Sequence, residues 1–234
     1  MTSAGHKDKI ASRTDEQKMT SIEAVLFDFD GTLAPNLDLL DMRRQVANLT
    51  VKAGVPEEIF RDLYIVEIIV AGHKWLGQHD AELAAHYKHQ ADQLIIDIEL
   101  AAAAKTTLFP GVKDMLSGLR EQHIKLGIVT RNCRAAIDVV FPQHPLYVDA
   151  LHARDDVSHL KPDPRHLQDN LLALDAQAVK SVMVGDGALD MRAGRELNMH
   201  CIGVLTGSND APALLQAGAS EIFDDCLNLH KNLF

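Results

Sequence analysis

Asp28, Asp30, Thr130, Lys161, Asp186 and Asp190 are the residues of this 234-residue chain whose types and spacing could do chemistry. Asp28-Phe29-Asp30 sets two carboxylates two residues apart, and Asp186 and Asp190 lie one helical turn apart. Each group stands where a short apolar run stops, or in a loop beyond one. If those runs are strands of one parallel sheet, four carboxylates, a hydroxyl and an ammonium converge on one rim, because ligands of such sheets bind at the carboxyl ends of the strands. Crowded carboxylates repel and need a counter-charge. Mg²⁺ suits them, as a hard cation that takes oxygen ligands and leaves room for a phosphate. A carboxylate beside a metal-held phosphoryl group is a candidate nucleophile, and a second one two residues on can give a proton to the leaving oxygen. Lys161 can neutralise charge on the equatorial oxygens.

Short buried strands closed by turn residues must position these groups. Ala24–Phe27 stops at Asp28, Ile124–Thr130 is a second strand, and Ser181–Gly185 and His200–Leu205 are two more, with Tyr147–Leu151 a weaker candidate. Helical spacing separates them: Val112, Met115, Leu116 and Leu119; Leu167, Leu171, Leu172 and Leu174; and Ala188 to Leu197, with Asn198 at the left-handed position past a helix end. This alternation predicts an α/β fold, a Rossmann-like doubly wound parallel sheet with both faces covered. Residues 36–107 break it with helices alone. Leu39, Met42, Val46 and Leu49 share a face, Pro56 is expected to open a helix with Glu57 and Glu58 in its first turn, and Leu83, Tyr87, Ala91, Leu94, Ile98 and Ala102 line a long helix from Asp80. The expected organisation is a tail over 1–20, an α/β core over 21–35 and 108–234, and a helical insert over 36–107.

Composition narrows the function class. Lys and Arg total 23 against 33 Asp and Glu, a net charge of −10, which disfavours nucleic acid as a partner. Apolar residues make up 47% and charged residues 24%, ordinary for a globular chain. Cys133, Cys201 and Cys226 are odd in number and widely spaced, which fits a reducing compartment better than a disulfide framework. No run approaches the roughly 20 apolar residues of a membrane span, and the first residues lack a signal-like apolar stretch. A cytoplasmic protein with no membrane partner is expected; its oligomeric state, monomer or homodimer, is open.

The motifs resemble those of the haloacid dehalogenase (HAD) superfamily. Asp28-Phe-Asp30-Gly31-Thr32-Leu33 is similar to its first signature, Thr130 after an apolar strand to its second, Lys161-Pro162 to its third, and Gly185-Asp186-Gly-Ala-Leu-Asp190 to its acidic fourth. The order runs across nearly the whole chain, and the helical insert matches the family's mobile cap. Phe109-Pro-Gly-Val112 and Gly203-Val-Leu-Thr-Gly207 resemble the phosphoglycolate-phosphatase branch. The resemblance implies a Mg²⁺-dependent phosphatase of small phosphorylated metabolites. It makes Asp28 the nucleophile and a metal ligand. Asp30 is the acid, then the base, and ligates metal through its carbonyl. Thr130 and Lys161 hold the phosphoryl group, Asp186 ligates metal directly, and Asp190 does so through water or orients the loop. The chain departs from the pattern at Ala34-Pro35-Asn36, at Leu189 and at Arg131-Asn132.

Arg131 and Asn132 are candidate substrate ligands, with a solvated loop as the other reading of Arg131. Arg43, Arg44 and the pair His73-Lys74 are candidate cations of the insert for a second anionic group such as a carboxylate. His73, His79, His86 and His89 read as a polar helix face rather than a metal site. Lys52 and Lys74 carry no mark of a Schiff-base lysine. A phosphomutase of the β-phosphoglucomutase type would use the same residues, and a non-catalytic binding module would have lost some of them.

Overall fold

The computed structural model describes residues 22–227 and 229. The tail expected over 1–20 lies outside them. Six strands form one all-parallel sheet: β1 (Ala24–Phe27), β2 (Lys125–Val129), β3 (Ala150–His152), β4 (Ser181–Gly185), β5 (His200–Val204) and β6 (Glu221–Phe223). Their order is β3-β2-β1-β4-β5-β6. Every residue of β1 and β4 is buried, which is why both read as unbroken apolar runs rather than alternating ones.

Alternate residues feed two cores. Val25, Phe27, Leu126, Ile128, Val182 and Val184 meet Met115, Leu116 and Leu119 of α4 (Val112–Glu121). Ala24, Leu26, Met183 and Cys201 face α6 (Arg165–Ala173), α7 (Ala188–Glu196) and α8 (Ala211–Ala217) through Leu167, Leu171, Met191 and Leu214. The chain leaves β1 for β2 and β3 on one side, then crosses to β4 on the other. The switch point therefore lies between β1 and β4, and the ends of these two strands carry Asp28 and Asp186. Asn198 adopts φ 56°, the left-handed conformation expected past α7.

The insert is helical throughout: α1 (Leu39–Lys52), α2 (Ile65–Gly77) and α3 (Ala81–Ala103), the last capped by Asp80. It has a core of its own around Met42, Val46, Ile68, Ile69, Tyr87 and Ile95. Gly72 lets α2 and α3 approach closely, since a Cβ there would stand 2.7 Å from the Tyr87 hydroxyl.

Three expectations need correction. Pro56 opens only a single 3₁₀ turn over Glu57–Ile59, and the next α-helix is α2, whose Ile-Val-Glu-Ile-Ile-Val run hid its period. The buried face of α3 follows Ala84, Tyr87, Ala91, Ile95, Glu99 and Ala103, and Leu83 is exposed. That helix serves two cores: its first half packs on α2, and Ile96, Leu100 and Ala103 near its end pack on Cys133 and Ala136, so no single stripe describes it. The weak third strand begins at Ala150 rather than Tyr147. Helix α5 (Arg134–Val140) begins just after buried Cys133, while α8 and the three-residue edge strand β6 had no periodicity strong enough to announce them.

Candidate active site

β1 delivers Asp28 to the switch point, and the turn that follows folds back at once, with Gly31 N–H donating to Ala34 O at 2.7 Å. Gly31 sits at φ +81°, and a Cβ on it would stand 2.5–2.7 Å from the Asp186 carboxylate. Glycine is required there on both counts.

Lys161 is the hub. Its side chain is almost wholly buried, and its ammonium donates to Asp28 Oδ1 at 2.8 Å and to Val129 O at 2.7 Å. Asp190 Oδ1 lies 2.5 Å from the same nitrogen. Burial disfavours this charge, but the Asp190 and Asp28 carboxylates outweigh it and hold the ammonium above its usual range. The second oxygen of Asp190 accepts from Gly187 N–H at 3.1 Å. Both Asp190 oxygens are thus engaged, which suits a residue that orients Lys161 and the loop.

Asp186 is buried after β4. Its Oδ2 accepts from Ser208 N–H at 2.7 Å, Ser208 Oγ at 2.9 Å and Asn36 Nδ2 at 3.3 Å. Burial and the Asp28 charge raise its pKa, and the Ser208 hydrogen bonds oppose this. Asp30 faces the cleft but is otherwise enclosed. Burial and the neighbouring Asp28 push its carboxyl up to about 7, and the Asn132 amide pulls the other way by donating to Oδ2 at 3.0 Å.

Asp28, Asp186 and Asp190 each offer an oxygen within 4.8 Å of the others, the only such group among the described residues. An all-oxygen, multiply anionic donor set fits a hard divalent cation. The Asp30 carboxylate is outside this trio. The histidines His73, His79, His86 and His89 are exposed on α2, its end and α3.

Thr130 is buried, and its hydroxyl accepts from Asn132 N–H at 3.1 Å. The loop after it behaves differently from a row of substrate ligands. Asn132 is spent on Asp30 and on Cys133 N–H. Arg131 makes a forked ion pair to Glu67 of α2 at 2.7 and 3.0 Å, donates to Lys161 O, and stands 5.9 Å from the Tyr64 ring centre. Arg154, in the loop after β3, pairs with buried Glu99 of α3 through both of its terminal nitrogens.

A cavity of about 360 Å³ joins these groups. Its floor holds Asp28, Asp30, Thr130, Lys161 and Asp186, and its walls include Arg43, Arg131 and Arg154. Arg44, His73 and Lys74 do not line it. Sequence reasoning missed Asn36, Glu67, Glu99, Arg154 and Ser208. The strand-end rule pointed toward Ser208, which follows β5; nothing local marks the other four.

Comparison with known proteins agrees with this fold. Residues 25–204 match the family model described as haloacid dehalogenase-like hydrolase. The chain is 28% identical to a phosphoglycolate phosphatase of Psychrobacter arcticus, over 87% of its own length and 92% of that protein. It is 31% identical to a plasmid-encoded phosphoglycolate phosphatase of Cupriavidus necator, over 74% of this chain and 76% of that one. Its fold superimposes on the crystal structure of a predicted phosphoglycolate phosphatase from Haemophilus somnus with TM-score 0.64 at 18% identity, covering 91% and 98% of the two chains. No helix among the described residues is long and apolar enough to cross a membrane. With a parallel sheet, a helical insert and an acidic switch point all in place, the chain belongs to the haloacid dehalogenase-like hydrolase family.

Proposed function

We propose that this chain is a Mg²⁺-dependent phosphomonoester phosphatase of small phosphorylated metabolites, working through an aspartyl-phosphate on Asp28. One observation carries the reading: the two carboxyls after β1 have opposite settings. Asp28 is ion-paired to Lys161 at 2.8 Å, whereas Asp30 is enclosed and pushed up to about 7. A carboxylate held on an ammonium beside an enclosed carboxyl suits a nucleophile next to a general acid. The names of the relatives point the same way.

In this mechanism Asp28 Oδ2 attacks phosphorus while Oδ1 stays on Lys161. The P–O ester bond breaks, and Asp30 gives its proton to the leaving oxygen. Asp30 then takes a proton from water, which attacks the same phosphorus and returns Asp28 with release of phosphate. Thr130 and Lys161 hold the phosphoryl oxygens. Mg²⁺, held by Asp28, Asp186 and the Asp30 carbonyl with Asp190 behind them, would neutralise charge on the phosphoryl group. The division into a core of 21–35 and 108–234 under a cap of 36–107 belongs to this proposal. So does a cytoplasmic setting, which the three buried free thiols support.

The test is phosphate release from a panel of phosphorylated metabolites with Mg²⁺ and with EDTA. Release should require the metal and fall by several orders of magnitude in Asp28→Asn with the fold intact. Full activity in EDTA or in that variant would refute the mechanism, and an isomerised sugar phosphate without free phosphate would replace it with a mutase.

A further inference from the structure

We infer that the phosphate ester this site prefers has an uncharged, apolar leaving group, an inference that rests on the phosphatase reading above. The cavity has two unlike ends. Opposite the polar floor its cap side is built from Leu37, Leu40, Met42, Tyr64 and Ile65, with Leu189 of α7 beside them. Its volume of about 360 Å³ is at the small end of the roughly 300–1,000 Å³ range of small-molecule sites. Leu40 is 84% exposed, which leaves a large aliphatic side chain facing open space at the cavity edge.

The cations that could greet an anionic leaving group are already committed. Arg131 is forked onto Glu67, and Arg154 onto Glu99. Arg43 has no carboxylate partner among the described residues, but its guanidinium donates to the Leu63 and Arg61 carbonyls. A carboxylate entering here meets two arginines already paired to glutamates, Glu99 itself, leucines, and Arg43, whose guanidinium is turned onto backbone carbonyls. It would give up hydration for partners whose hydrogen bonds are already engaged, which is costly. An alkyl or ring group loses nothing of that kind and gains apolar contact.

The experiment compares kcat/KM for methyl, ethyl and butyl phosphate and for 3-carboxypropyl phosphate, which is close to butyl phosphate in length but ends in a carboxylate. Each added methylene should raise kcat/KM about fourfold, the worth of one buried CH₂. Butyl phosphate should exceed the carboxylate ester at least tenfold. Glu67→Gln, which unmasks Arg131, and Leu40→Lys, at a site where folding is not at stake, should each narrow that gap. A flat alkyl series, or a carboxylate ester as good as butyl phosphate, overturns the inference and leaves the phosphatase reading standing. A gap unmoved by both variants overturns the account of Arg131 and Leu40 as its cause. No phosphate from any of these esters or from acetyl phosphate, an activated acyl phosphate, overturns the phosphatase reading and this inference with it.

Discussion

Asn132, in the loop after β2, holds Asp30 after β1: its side-chain amide donates to Asp30 Oδ2 at 3.0 Å across 102 positions of sequence. A donor to a carboxylate favours the charged form. It therefore restrains a carboxyl that burial and Asp28 push up to about 7. Asn132→Ala should raise the Asp30 pKa further. If Asp30 is the acid, the alkaline limb of the kcat/KM profile should move to higher pH while kcat drops through lost orientation. A limb that stays or moves to lower pH would remove this bond from the acid's control.

Gly207 is the second glycine that makes room for Asp186, since a Cβ at this position would overlap the Asp186 carboxylate. Gly207→Ala should force that side chain off Ser208 and out of the metal trio. The Mg²⁺ concentration giving half-maximal activity should rise at least tenfold, with a smaller effect on KM for the ester. An unchanged Mg²⁺ requirement would place the metal elsewhere.

Glu99 and Arg154 tie α3, the last helix of the insert, to the loop after β3 through a largely buried ion pair, with side-chain exposures of 2% and 12%. Removing one partner strands the other charge. Glu99→Ala should cost about 3–5 kcal/mol in urea unfolding. The double variant Glu99→Leu with Arg154→Leu should cost less than Glu99→Ala alone, because no lone charge is left. A single variant milder than the double would show that the pair is not desolvated as the structure has it.

His166 gives a pH signature of stability that does not involve the metal trio. It is fully buried, its Nδ1 accepts from Lys161 N–H at 3.2 Å, and its Nε2 lies 3.2 Å from His152 O. Both nitrogens are used only if the ring is neutral, with its proton on Nε2. Burial and then the Lys161 charge lower its pKa to about 3, against about 6.5 unfolded. Below pH 6.5 the unfolded chain takes up a proton that the folded chain refuses. The stabilisation is therefore complete above 6.5 and is lost as pH falls, by up to about 1.4 kcal/mol per unit. Urea midpoints measured from pH 7 to 5 should fall less steeply in His166→Asn than in the parent. Equal slopes would mean that the ring is not held neutral.

What the sequence determined alone is the strand-end chemistry and the sheet that carries it. Asp28, Asp186 and Thr130 are legible because a buried parallel strand must be apolar until it ends, so each polar residue at the stop is already placed on the rim. The helical nature of the insert follows from the periodic faces of its first and last helices, α1 and α3, while the β-branched start of α2 gave no such signal. Tertiary structure decided what depends on partners far away in the chain. Arg131 could be a substrate ligand or a solvated loop residue until α2 brought Glu67, 64 positions distant, against it. Asn132 became a support for Asp30 through a contact between two loops. Glu99 stands at a helix position that reads as ordinary surface until Arg154 meets it. The buried face of α3 turned because two cores, not one, pull on it. Local periodicity records the burial of an element against its surroundings as an average, whereas an ion pair or a hydrogen bond between loops is set by the register of whole elements, which no short window of sequence contains.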